Sequence, residues 1–172
     1  MIDPSQITDM QRFLALAYVL EEESADRYHE LADNMDVHHH PEVAAVFREL
    51  ARFGEMHAAE VAELAGASLS SQLADSSMRW ELPEGPETTP YDALSYGMDV
   101  HDAYDLALHN EKRGRDFYAN VAEHSPDPDI RKTAAEFAQE EAEHVALLEE
   151  RMSGLGEREP KQEDWDPANM PE

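Results

Sequence analysis

The sequence predicts an all-α protein, a four-helix bundle made of two repeated helix pairs with one long crossover between helices 2 and 3. Four long segments carry apolar residues at the 3.6-residue period of an amphipathic helix, and no strand signal competes with them. The two halves of the chain repeat, because 90 residues separate Glu21 from Glu111 and 87 separate His57 from His144. A long connection rich in Ser, Pro and Gly joins the halves, which favours two antiparallel helix pairs packed as one bundle.

The first helix pair has recognisable ends. We expect helix 1 to run from about Thr8 to Met35, with Thr8 and Gln11 spaced as a capping box. Helix 2 is predicted to begin at Pro41, since proline suits the first helical position, and to end near Gly66.

The second pair is delimited in the same way. Helix 3 is predicted over about 89–124, or from Asp99 if Gly97 interrupts it. Helix 4 begins with Asp127 as its cap and Pro128 as its first residue, and stops just before Ser153 and Gly154.

The domain organisation follows from these helices. Residues 1–155 are expected to form the bundle, with the crossover at about 67–97 and Trp80 packing it onto the helices. Residues 156–172 are polar and contain proline, and we expect them to form a flexible tail.

The charge of the chain limits its function. The 172 residues include 13 Lys and Arg against 39 Asp and Glu, giving a formal net charge of −26. Such a surface repels phosphate backbones and anionic lipids, so we expect no nucleic-acid or membrane partner. There is no Cys, so any metal chemistry must use carboxylates and imidazoles. The first residues lack the features of a signal peptide, and a cytoplasmic location is expected.

Polar residues interrupt the apolar face of every predicted helix. At 100° per residue, one stripe of each helix faces the core. The four stripes are Leu14, Ala17, Glu21, Ser24, Tyr28 and Leu31; Val43, Phe47, Leu50, Gly54, His57, Val61 and Leu64; Tyr104, Leu108, Glu111, Gly114, Tyr118 and Val121; and Ile130, Ala134, Phe137, Glu141, His144 and Leu148.

Five of these positions carry metal-ligand side chains: Glu21, His57, Glu111, Glu141 and His144. An unpaired buried carboxylate costs several kcal/mol, and the matching levels of the stripes offer no Lys or Arg. Three carboxylates and two imidazoles at one height of a bundle suit a divalent first-row metal, with iron, manganese and zinc all compatible.

These motifs resemble the ferritin-like, rubrerythrin-type di-iron carboxylate family. The resemblance covers residues of about 8–152 without the connection, and consists of Glu21 with Tyr28, Glu111 with Tyr118, and a Glu-x-x-His motif at Glu141 and His144. The family places one Glu on each of two helices and a Glu-x-x-His motif on each of the other two. The resemblance therefore implies one or two bound irons. Because buried Tyr hydroxyls need hydrogen-bond partners, we also expect those of Tyr28 and Tyr118 to hydrogen-bond the ligand carboxylates.

The second helix departs from the family pattern. Gly54, not Glu, lies three residues before His57, and Glu55 points about 100° away from the stripe. One bridging carboxylate is therefore expected to be missing. Gly54 and Gly114 both face the predicted site, and we expect them to leave open space there for water or a ligand.

Three functions remain open. The first is a non-haem iron oxidoreductase that reacts with peroxide or dioxygen; it would need a separate electron donor, because the chain has no Cys-rich module. The second is a divalent-metal binding or storage protein, holding iron, zinc or manganese without redox turnover. The third is a degenerate bundle that acts as an interaction module through its tail. The family resemblance further implies at least a homodimer.

Overall fold

The computed structural model describes residues 4–74 and 98–157, and every regular element within these ranges is helical. A short 3-10 turn at Pro4–Gln6 precedes helix α1 (Met10–Val37) and helix α2 (Pro41–Ala65). A second 3-10 turn and a short helix α3 (Leu69–Leu73) follow, where the sequence had predicted only a connection. Helix α4 spans Val100–His124, and helix α5 spans Pro128–Gly154. The four long helices form a ferritin-like bundle, and the fold class is as predicted.

Side-chain caps define where α1 and α4 begin. The expected capping box at Thr8 is wrong: Asp9 is the N-cap of α1, and its carboxylate accepts a hydrogen bond of 2.8 Å from the Arg12 backbone N–H. A full capping box joins Asp99 and Asp102, so α4 begins at the later of its two predicted starts. The earlier start at 89, the position of Trp80 and the tail from 158 lie outside the described residues.

A tight turn at residues 38–40 links α1 to α2. His39 has a left-handed backbone conformation with φ of +64°, and the His40 N–H donates to the carbonyl of Met35 at 2.9 Å. A left-handed residue flanked by such a bond closes the last turn of a helix, and glycine usually holds this position. The turn brings α2 back along α1, starting at Pro41.

Helices pack mainly as sequential pairs, α1 with α2 and α4 with α5. Two apolar clusters fill the interior, one at each end of the bundle. The first contains Tyr28, Leu31, Met35, Val43, Phe47, Leu50, Met98, Tyr104, Leu108, Val145 and Leu148. The second contains Ile7, Phe13, Leu14, Leu20, Val61, Ala65, Tyr118, Val121, Ile130 and Phe137.

The two clusters also fix the direction of the crossover. Ala65, the last residue of α2, lies in one cluster, whereas Met98, which precedes α4, lies in the other. The connection therefore joins opposite ends of the bundle. No helix among the described residues is long and apolar enough to cross a membrane.

Candidate metal centre

A polar layer separates the two apolar clusters at mid-height of the bundle. Helix α1 contributes Glu21, α2 contributes His57, α4 contributes Glu111, and α5 contributes Glu141 and His144. Glu21 and Glu141 are only 5% and 3% exposed, and the other three are half-buried. On each helix these residues lie between apolar residues of one cluster and apolar residues of the other, so the helical period brings them to the same level.

Glu141 lies between the two histidines. Its Oε1 is 3.9 Å from His57 Nδ1, and its Oε2 is 3.6 Å from His144 Nδ1. A second carboxylate flanks each imidazole: Glu21 Oε2 is 3.6 Å from His57 Nδ1, and Glu111 Oε2 is 3.2 Å from His144 Nδ1. The layer thus consists of two carboxylate–imidazole pairs that share the carboxylate of Glu141.

The donor set fits a first-row divalent metal. The two imidazole rings stack with centroids 4.5 Å apart, and one ligand atom from each of His57, Glu141 and His144 lies within 4.8 Å of the others. Oxygen and nitrogen donors in this proportion suit iron, manganese or zinc. Glu141, with one carboxylate oxygen towards each histidine, would hold a metal together with His57 and His144.

Burial and the neighbouring carboxylates shift the pKa of His57 in opposite directions. Burial alone would lower the pKa of His57, but hydrogen bonding to Glu21 and the negative charges of Glu21, Glu140 and Glu111 outweigh it and raise the pKa above 6.5. The surrounding carboxylates therefore favour a positive charge at this position. A divalent cation would supply that charge and would displace the proton from the ring.

Gly54 does not open space at the site, and that expectation is wrong. A Cβ at this position would lie 3.1 Å from both the Ala25 Cβ and the backbone oxygen of Glu21. Glycine allows α2 to approach α1 closely, so the place of a bridging carboxylate is taken by the α1 backbone. Packing thus accounts for the departure from the Glu-x-x-His pattern.

A cleft reaches the site from another direction, between α2 and α5. It encloses about 50 Å³, room for one or two water molecules, and its lining consists of Glu21, His57, Glu60, Val61, Leu64, Phe137, Glu140 and Glu141. Leu64, expected in the core, is 59% exposed at the rim of this cleft. Burial, with a contribution from nearby Glu60, raises the pKa of Glu140.

The two tyrosines have different partners. The Tyr118 hydroxyl donates to Glu21 Oε1 at 3.3 Å, across the bundle from α4 to α1. The Tyr28 hydroxyl accepts a hydrogen bond of 3.2 Å from Asn110 Nδ2. The halves differ at this point, because the repeat pairs Asn110, which is only 1% exposed, with Leu20 in the first half.

Phe53 and Arg151 lie beside the polar layer, and the sequence pattern did not single them out. The Phe53 and His144 rings stack with their centroids 5.9 Å apart. The Arg151 guanidinium carbon lies over the Phe53 ring, 5.9 Å from its centroid. Arg151 also pairs with Glu49 at 2.7 Å. A signal was present in the spacing, since Glu49, Phe53 and His57 follow one another at four-residue intervals on α2.

Comparison with known proteins identifies the family. A family model described as Rubrerythrin matches residues 12–152. An uncharacterised conserved protein from Magnetospirillum magnetotacticum MS-1, known from a crystal structure, is 33% identical, with a TM-score of 0.64 over 89% of this chain and 99% of that one. No curated protein matches the chain. With most of its length matched, the chain belongs to the rubrerythrin family of ferritin-like proteins.

Proposed function

We propose that the protein is a non-haem iron oxidoreductase that reduces peroxide or dioxygen at a centre held by Glu21, His57, Glu111, Glu141 and His144. The observation that carries this proposal is the position of Glu141, whose two oxygens face two different histidines at 3.9 and 3.6 Å. Each histidine has its own flanking carboxylate, so the layer offers two adjacent sets of ligands for two metal ions.

Bound ferrous iron would supply the electrons for reducing the oxidant. The protein's own side chains then have defined tasks. Tyr118 holds the carboxylate of Glu21 through its hydroxyl, which limits how far that carboxylate can swing. A metal would bind the neutral form of His57, and the cleft that His57 lines brings this side chain into contact with water.

The remaining requirements come from outside the site. Peroxide takes two electrons and two protons to become two waters, and a separate electron donor must restore the reduced state because the chain has no Cys. We further propose that the protein forms a homodimer, in line with the family resemblance, and that it works in the cytoplasm.

A second function has its own support. Gly54 leaves the centre with one carboxylate fewer than the family pattern, and the α1 backbone fills that place. A site with a single bridging carboxylate could bind iron, zinc or manganese without turnover. Metal binding or storage is therefore the alternative.

An anaerobic ferrous titration separates these functions. Metal-free protein is titrated as wild type, as Glu141→Ala, and as Glu143→Ala, a control that removes an exposed carboxylate from the same helix. We expect two tightly bound irons per chain in the wild type and in the control, and a loss of both in Glu141→Ala. One iron per chain would favour the binding function, and no bound metal would overturn both proposals.

Stopped-flow absorbance then tests turnover. The ferrous protein is mixed with peroxide, and the rate of iron oxidation is compared with that of free ferrous ion at the same concentration. Oxidation no faster than that of the free ion would refute the oxidoreductase and leave the binding protein.

A further inference from the structure

Two exposed carboxylates stand at the outer end of the cleft that leads to the polar layer. Glu60 lies on α2, one turn beyond His57, and Glu140 lies on α5, next to Glu141. Both are exposed, whereas Glu21 and Glu141 at the inner end are almost completely buried. The cleft therefore has a carboxylate pair at each end.

Besides the imidazole of His57, the rest of the lining is apolar. Val61, Leu64 and Phe137 complete the walls between the two carboxylate pairs. Apolar walls of low dielectric strengthen the field that the charged groups produce inside a cleft. A cation at the outer pair is thus drawn inward, and an anion is repelled.

The contact between α1 and α2 leaves no second passage to the site beside Gly54. Next to Gly54, the α1 backbone oxygen of Glu21 lies 3.1 Å from where a Cβ would be, so helix packing leaves no passage there. Above and below the polar layer lie the two apolar clusters. The cleft between α2 and α5 is therefore an opening through which a cation reaches Glu21, His57 and Glu141.

We propose that Glu60 and Glu140 capture a divalent cation at the mouth of the cleft and deliver it to the inner ligands. This inference rests on the proposed metal centre and adds its loading route. The same negative potential restricts the oxidant to an uncharged molecule, such as hydrogen peroxide or dioxygen, in preference to an anion. Glu60 and Glu140 are delivery residues, and the inner five remain the ligands.

The rate of metal uptake tests the inference. Metal-free protein is mixed with Co²⁺ alone in quenched flow, and the cobalt left unbound is counted with a chromophoric chelator. Glu60→Gln combined with Glu140→Gln is compared with Glu42→Gln combined with Glu150→Gln, which changes the net charge equally at exposed positions nearer the end of the bundle.

Two charges at about 6 Å from a divalent cation, screened with a Debye length of about 8 Å, should speed its capture by about tenfold. We therefore expect the Glu60 and Glu140 double variant to bind Co²⁺ about tenfold more slowly at the wild-type stoichiometry, and the control pair to differ from wild type by less than about twofold. The difference should shrink as salt is added.

The outcomes separate this inference from the proposed centre. Wild-type protein that binds no cobalt would refute the centre itself. Normal stoichiometry with equal uptake rates in the two double variants would overturn the delivery role alone. A lower stoichiometry in the Glu60 and Glu140 variant would also overturn it, because the two residues would then be ligands. As a steric check, Leu64→Trp at the rim should slow uptake without changing stoichiometry.

Discussion

Gly54→Ala tests whether the close contact between α1 and α2 shapes the metal centre. In an open helix this substitution stabilises a protein by about 1 kcal/mol, because alanine has the higher helix propensity. Here the new Cβ would lie 3.1 Å from the backbone oxygen of Glu21 and 3.1 Å from the Ala25 Cβ. Backbone oxygen cannot turn aside as a flexible side chain can, so the helices must separate.

The magnitude follows from these two opposing effects. Overpacking a close contact costs about 1–3 kcal/mol. Subtracting the propensity gain of about 1 kcal/mol leaves a net destabilisation of about 0–2 kcal/mol. The matched control is Gly154→Ala at the end of α5, where nothing lies within 4 Å of the added Cβ and the same substitution should be neutral or stabilising by up to about 1 kcal/mol.

Urea unfolding of the metal-free proteins, followed by circular dichroism, measures both variants. Metal titration gives a second readout, because the backbone oxygen that must move belongs to Glu21, and its carboxylate should shift with it. We expect weaker metal binding in Gly54→Ala and unchanged binding in the control. If Gly54→Ala were about 1 kcal/mol more stable than wild type with unchanged metal affinity, the contact would have no effect on the site and our reasoning would be refuted.

Three other predictions concern the surroundings of the site and the turn between helices. Tyr118→Phe removes the hydrogen bond to Glu21 and should weaken metal binding by about 10-fold or more; an unchanged affinity in calorimetric titrations would contradict this. His39→Gly relieves a left-handed backbone and should stabilise the protein by up to about 1 kcal/mol, so a lower urea midpoint would count against it. The raised pKa of His57 means that its protonated form stabilises the metal-free fold at pH below its unfolded value of about 6.5, and that this stability is lost as the pH rises through the higher folded value. His57→Gln should remove this decline, which unfolding free energies measured at several pH values would reveal.

Most of the fold was accessible from the sequence because helical period and cap chemistry are local. The cap at Asp99 and the start of α5 at Pro128 act within four residues; the first is the later of the two predicted starts of α4, and the second is where the pattern placed it. The errors arise where two local signals compete. Asp9 displaced Thr8 as the cap of α1, and the core stripe of α2 continued by four residues to Ala65 rather than by three to Leu64.

In the candidate site, too, the features that depend on one helix were predictable and those that depend on contacts between helices were not. The levels of Glu111 and His144 follow from the period of their own helices, and the structure brings these two side chains within 3.2 Å. The surroundings of Gly54 depend instead on the distance between two helix axes, which no local pattern contains. The open space that the sequence suggested beside Gly54 is occupied in the fold by the backbone of α1. Asn110 was missed for a similar reason, because its partner Tyr28 lies 82 residues away.

The position of the polar layer explains how the family pattern can lose a ligand while the bundle persists. The apolar clusters lie on both sides of the layer, and each draws residues from all four long helices. Burial of these side chains drives folding whether or not a metal is bound. Metal binding adds stability according to its concentration relative to the dissociation constant, but it is not the only force that holds the helices together. Replacing a ligand carboxylate by the packing of Gly54 against α1 therefore costs the fold little stability. Its main effect is on how the centre binds metal.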